Sequence, residues 1–163
     1  MIALLMAPAL VFAQADMPPT NDSPNPYLTQ SGFFKMPAGR AWGSSSTVDI
    51  DLDGESIWVA ERCGGNINAC VQSPDTNLVM LFDKDGNMVR SFGAGYITWP
   101  HGIHVDTDGN VWIADGRDNQ GGDNPPSNAY GHQVHKFSPT GVHLMALGNK
   151  GGGRDAEFFY TPN

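Results

Sequence analysis

Apolar and polar residues alternate in short bursts along this chain, and the bursts come in pairs. Val48-Asp49-Ile50-Asp51 alternates strictly, and Ile57-Trp58-Val59-Ala60-Glu61 follows after Leu52-Asp53-Gly54. Ile103-His104-Val105-Asp106 and Val111-Trp112-Ile113-Ala114-Asp115 are arranged in the same way around Asp108-Gly109. Alternation with period two predicts strands, and Asp-Gly between two such runs predicts a tight antiparallel hairpin. In that hairpin the residues before the first strand and at the end of the second lie side by side, away from the turn. His101 and Asp115 therefore share the open end of one hairpin.

The two hairpins are copies. Asp51-Leu52-Asp53-Gly54 recurs 55 residues later as Asp106-Thr107-Asp108-Gly109, whereas Trp58-Val59-Ala60-Glu61 recurs 54 later as Trp112-Ile113-Ala114-Asp115. One residue thus slips in the turn. Val79 to Gly86 matches Val134 to Gly141, and Ser91-Phe92-Gly93 matches Ala146-Leu147-Gly148. Each unit reads strand, Asp-Gly turn, strand, long loop, strand, x-Gly turn, strand. Four antiparallel strands per repeat is the pattern of a β-propeller blade, here lengthened by loops 62–76 and 116–132. The predicted fold is all-β, with blade one at about 42–97, blade two at about 98–152 and a third starting near 158. Thr161-Pro162-Asn163 is read as the counterpart of Trp99-Pro100-His101. Two blades and a stub close no ring, so the expectation is the N-terminal part of a longer propeller.

Composition fits this reading. Twenty glycines, twelve prolines and 16% charged residues suit turns and short strands, and 40% apolar content is enough for a core. A formal charge of −8 argues against a nucleic-acid partner, which wants a basic footprint. Residues 1–15, MIALLMAPALVFAQA, form an apolar run ending in Ala13-Gln14-Ala15. That is the pattern of a cleaved signal peptide, too short to span a bilayer, so export to the periplasm or outside the cell is expected, with no membrane partner after cleavage. Residues 16–40 read as a linker or extension. In an exported chain, Cys63 and Cys70, the only two cysteines, are expected to staple their loop as a disulfide.

Meander geometry gathers the start of each first strand, the end of each second strand and the long loops on one face. His101, Glu61, Arg62 and Asp115 are thus expected at a channel mouth, with the Asp-Gly turns opposite. The Asp-x-Asp-Gly pieces lack the sixth-position Gly and twelfth-position Glu of an EF-hand loop, and read as turns. Trp58 and Trp112 read as packing residues, and His104, His132, His135 and His143 as structural or exposed. His101 stands apart because a rigid Trp-Pro step precedes it on the loop-bearing face; it reads as metal ligand or surface histidine. Arg62 reads as a surface ion-pair partner for Glu61 or Asp49, or as a fork for a substrate carboxylate.

At these residues the chain resembles peptidyl-alpha-hydroxyglycine alpha-amidating lyase (peptidylamidoglycolate lyase) and its bacterial relatives among NHL-repeat proteins. The resemblance runs from about Trp42 onward. It rests on Ser46-Thr47-Val48-Asp49-Ile50-Asp51, Trp58-Val59-Ala60-Glu61-Arg62-Cys63-Gly64 and Pro100-His101-Gly102-Ile103-His104-Val105-Asp106-Thr107-Asp108-Gly109-Asn110. It implies a six-bladed propeller with channel zinc held by three histidines from different blades, the first matching His101. It also implies that Arg62 anchors the substrate carboxylate and that the backbone carbonyls of Val48 and Ile103 hold a structural calcium. The remaining zinc histidines, a catalytic tyrosine and a second arginine are expected beyond Asn163. The implied activity is that of a carbon–nitrogen lyase, cleaving a peptide or small molecule with a C-terminal α-hydroxyglycine to an amide and glyoxylate. The alternative expectation is a non-catalytic propeller that binds protein or glycan on its loop face.

Overall fold

The structure, a computed structural model, describes residues 23–66, 69–116, 131–148 and 150. The predicted signal segment, most of loop 116–132 and the predicted third repeat lie outside the described residues. The chain divides into two units, Met1–Gln30 and Ser31–Asn163. The described residues of the first carry no strand or helix, and Tyr27 and Leu28 are exposed.

The described residues of the second unit are all-β apart from one helical turn. Its strands are β1 Ser45–Ile50, β2 Ile57–Glu61, β3 Val79–Phe82, β4 Met88–Phe92, β5 Pro100–Val105, β6 Val111–Asp115, β7 Gln133–Phe137 and β8 His143–Leu147. They form two four-stranded antiparallel sheets in the orders β1-β2-β3-β4 and β5-β6-β7-β8. This architecture is compatible with two neighbouring propeller blades. The helical turn, α1 (Ala69–Gln72), sits inside what the sequence presented as plain loop.

All four hairpins close alike. The amides of Gly54, Gly86, Gly109 and Gly141 each donate to the carbonyl three residues earlier, at 2.9 Å. Gly109 takes φ +79°, a left-handed value that a side chain resists. The tight hairpins expected at the Asp-Gly pieces are present. Asp106 pairs across to Asn110 (N···O 2.9 Å), and Asp51 to Ser56 (2.8 Å). The first connection therefore holds one residue more than its counterpart, which is the slip seen in the repeat. The aspartates are spent on the turns themselves. Asp106 Oδ1 accepts from the amides of Asp108 (3.0 Å) and Asn110 (2.9 Å), and Asp83 Oδ1 from those of Asp85 (3.0 Å) and Asn87 (2.8 Å). Trp112 Nε1 adds a bond to Asp106 Oδ2, as Trp58 Nε1 does to Asp51. The Trp112 bond, foremost, holds the Asp106 carboxyl well below the ordinary range.

The sheets pack face to face. Trp58, Leu81 and Phe92 of the first join Val105, Val111, Ile113 and Phe137 of the second in one buried cluster. Phe92 bridges them, with its ring 5.3 Å from Trp58 and 5.1 Å from Phe137. Burying each such side chain contributes roughly 1.5–3 kcal/mol. The first strands also meet: Ser46 Oγ donates to the Pro100 carbonyl (3.1 Å), and the Val105 amide to Asp49 Oδ2 (2.8 Å).

The other face of the first sheet, with Val59, Met80 and Phe82, is covered from within the supposed linker. Phe34 and Met36 pack against it, and the Phe34 ring lies 4.7 Å from Phe82. The stretch from Phe33 to Arg40 is thus a docked arm, corresponding to what Phe92 does for Phe137 one sheet further on.

Candidate functional site

Register alone brings the ends of the two second strands to corresponding edges. Ser45 pairs with Glu61, and Pro100 with Asp115. The backbone then repeats itself, since the Arg62 amide donates to the Ser44 carbonyl (3.1 Å) and the Gly116 amide to the Trp99 carbonyl (3.0 Å). Residues 44 and 62 in the first repeat therefore correspond to 99 and 116 in the second.

Glu61 and Asp115, expected to line the mouth, turn inward. Glu61 is fully buried, accepts from the amides of Gly43 and Gly64 (both 2.8 Å) and pairs with Arg40. Asp115, 2% exposed, accepts from the amides of Thr98 (3.0 Å) and Trp99 (2.7 Å) and from Thr98 Oγ1. Burial pushes its carboxyl up to about 6, while the Thr98 and Trp99 amides pull the other way. Both carboxylates fasten the backbone that feeds each first strand.

What reaches the same edge as a chemical group is a stack. The Arg62 guanidinium carbon lies 3.9 Å from the centre of the Trp99 ring, whose centroid is 4.9 Å from that of His101. Arg62 is itself largely buried, and its Nη1 donates to Asn66 Oδ1 at 2.6 Å. Of the two carboxylates expected beside Arg62, Glu61 pairs with Arg40, and Asp49 Oδ2 lies 3.4 Å from His104 Nδ1.

His101 sits on a β-bulge. Register shifts between Pro100 and Gly102, leaving His101 the extra residue, as Ser46 is in the first repeat. A bulge re-aims one side chain and increases local twist. His101, expected just before the first strand, thus lies within β5 and is exposed. Three residues on, His104 lies beside Asp49 instead.

Loop 62–76 is pinned beside this stack. Cys63 and Cys70 form a disulfide with Cα atoms 5.0 Å apart, as the sequence led us to expect, and Cys70 is buried on α1. The bond closes the turn that carries Asn66. Asn66 was missed by sequence reasoning, and so was Trp99. Trp99 was visible only as a rigid step before His101, yet comparison of the repeats flags it: where the first repeat has Ser44 and Arg62, the second has Trp99 and Gly116.

Val48 and Ile103 occupy corresponding places on β1 and β5, opposite Val59 and Ile113. Among the described residues, no group of three or more His, Cys, Asp or Glu side chains could hold a metal ion. His101 is part of no such group, and one imidazole falls short of the three or four protein ligands of a zinc site. No helix of the described residues is long and apolar enough to cross a membrane.

Comparison with known proteins agrees with the resemblance. No family model matches the chain. A probable peptidyl-alpha-hydroxyglycine alpha-amidating lyase of Caenorhabditis elegans is 26% identical over 114 residues, which cover 69% of this chain and 25% of the relative. The chain thus spans about a quarter of the length of the curated relative it matches.

Proposed function

We propose that this chain is part of an exported lyase that cleaves N-acyl-α-hydroxyglycines to an amide and glyoxylate. The observation that carries this reading is the Arg62–Trp99–His101 stack, which sets a guanidinium and an imidazole on one edge of two neighbouring sheets. The similarity to an amidating lyase supports the same reaction class.

In this reading Arg62 holds the carboxylate of R-CO-NH-CH(OH)-COO⁻ through its planar fork of N–H donors. A held carboxylate fixes the adjacent carbinol carbon toward the channel. The reaction removes the hydroxyl proton, forms the aldehyde C=O of glyoxylate, breaks the C–N bond and returns a proton to the departing amide nitrogen. No electrons leave the system, so no oxidant is needed. In the same reading His101 would give one ligand to a zinc ion, and the carbonyls of Val48 and Ile103 would help to hold a structural calcium. Zinc, when bound, supplies Lewis acidity toward the hydroxyl or carboxylate. One imidazole does not hold zinc, so the described residues' own part is to bind and orient the substrate.

The test is glyoxylate release from α-hydroxyhippurate by the full-length protein, with metal analysis of the same preparation. The expected outcome is turnover, with stoichiometric zinc lost in His101→Ala. Arg62→Ala is expected to raise KM by roughly one to two orders of magnitude, the loss of a charge-assisted bidentate contact. A folded full-length protein that releases no glyoxylate overturns the reading.

A further inference from the structure

The two repeats share a backbone frame and differ in what they hang on it. Glu61 and Asp115 both fasten backbone amides, and the Arg62–Ser44 and Gly116–Trp99 backbone bonds coincide. Against that frame, the large side chains Arg62 and Trp99 come from different sheets and meet. The pairing is bought with a glycine: a Cβ at Gly116 would lie 3.0 Å from both Trp99 Cε3 and His101 Cβ.

Trp99 is held from every side the frame offers. Its amide donates to buried Asp115, its carbonyl accepts from Gly116, and Pro100 restricts its backbone to extended conformations. The indole so fixed supports the face of the Arg62 guanidinium, while Asn66 fixes its plane at one edge. A guanidinium laid over a ring face keeps its edge donors free of that face, where a carboxylate meets two of them at once.

We propose that Trp99 is the positioning residue for the carboxylate anchor: its indole, carried on a backbone that Asp115 fastens and given room by Gly116, sets the orientation of the Arg62 fork and its spacing from His101. The inference rests on Arg62 being that anchor. It further assigns Gly116 and Asn66 as parts of the same device, one by making room and the other by bracing the guanidinium edge.

The experiment uses the full-length protein with hippurate, a non-reacting N-acylglycine, as binding probe and α-hydroxyhippurate as substrate. Trp99→Leu is expected to weaken hippurate binding and raise KM about tenfold, the loss of one cation–π contact, with kcat within about threefold. Trp99→Phe, which keeps an aromatic face, should restore both to within about threefold of wild type. Should Trp99→Leu fail to fold, Gly116→Ala, whose added methyl crowds the indole and also His101, must weaken hippurate binding, a readout that does not depend on turnover. Wild-type affinity for hippurate in the folded Trp99→Leu or Gly116→Ala protein overturns the inference while leaving the lyase reading intact. Hippurate binding that is lost in Trp99→Leu, from a protein that releases no glyoxylate, sustains the inference and overturns the lyase reading. No hippurate binding by wild type overturns both.

Discussion

At the scale of single residues, two carboxylates organise the edge on which the site is built. Glu61 and Asp115 stand at corresponding positions, and each accepts from backbone amides of the segment entering its own sheet's first strand, Glu61 also from the Gly64 amide just after β2. Glutamate has the extra methylene needed to span Gly43 and Gly64 and still meet Arg40. Removing it takes the carboxylate from the Gly43 and Gly64 amides and from the partly exposed Arg40 guanidinium. Glu61→Ala should therefore cost about 1.5–3 kcal/mol, the scale of hydrogen bonds to a charged group. Glu61→Gln, which keeps the shape and one acceptor, should cost about half of that. Urea unfolding midpoints measure both, and equal midpoints for Glu61→Ala and wild type would refute the assignment. The sequence placed both residues on the correct edge but facing outward. Their inward turn depends on which amides a neighbouring loop leaves unpaired, and no periodicity reports that. The bulge at His101 was hidden for a similar reason, because one extra residue in a short strand looks like ordinary alternation.

At the scale of elements, the hairpins were the most legible part of the chain. Asp-x-Asp-Gly combines a left-handed glycine with a carboxylate that folds back on its own turn, so the local chemistry is complete within five or six residues. The arm was not legible. Phe33, Phe34 and Met36 sit among Pro, Gly and Lys with no period, and their partner Phe82 is distant in sequence. Gly86 couples arm to hairpin: a Cβ there would lie 2.1 Å from the Phe33 carbonyl oxygen, and the Lys35 amide donates to the Gly86 carbonyl at 2.8 Å. Gly86→Ala should therefore lift the arm, cost roughly 1–3 kcal/mol and speed proteolysis within residues 31–42. Gly54→Ala is the control, since Gly54 has a similar φ of +73° but nothing within 4 Å of an added Cβ. It should lose stability without exposing the arm. Equal cleavage of the two variants would separate Gly86 from arm docking.

At the scale of the whole molecule, the apolar interface between the two sheets carries a pair of histidines. His135 on β7 and His143 on β8 face each other, Nδ1 to Nε2 at 3.1 Å, and Tyr96, from the loop after β4, stacks on His143 at 4.2 Å. Phe137 completes the aromatic surround, so the loop of one sheet closes over the histidines of the other. His135 is 2% exposed, and its Nε2 has no hydrogen-bond partner among the described residues. Burial, with lesser effects from His143 and Lys150, pushes the His135 imidazole down to about 4, and burial lowers His143 as well. The unfolded chain protonates such a histidine near 6.5, so it takes up a proton that the folded state refuses. This contribution to stability is therefore complete above about pH 6.5 and lost progressively as pH falls toward 4. Asp115, raised to about 6, acts in the opposite sense over the same range, so the useful quantity is a difference between proteins. His135→Phe removes the titration and keeps an aromatic ring in the interface. Relative to that variant, wild type should lose roughly 2–3 kcal/mol between pH 7 and 4.5, read from urea unfolding at several pH values. Tyr96 fluorescence cannot be isolated among four tryptophans, so the backbone circular dichroism signal is the suitable probe. Parallel pH profiles for the two proteins would mean that the histidine pair is hydrated, and that the sheets do not close over it as the structure describes.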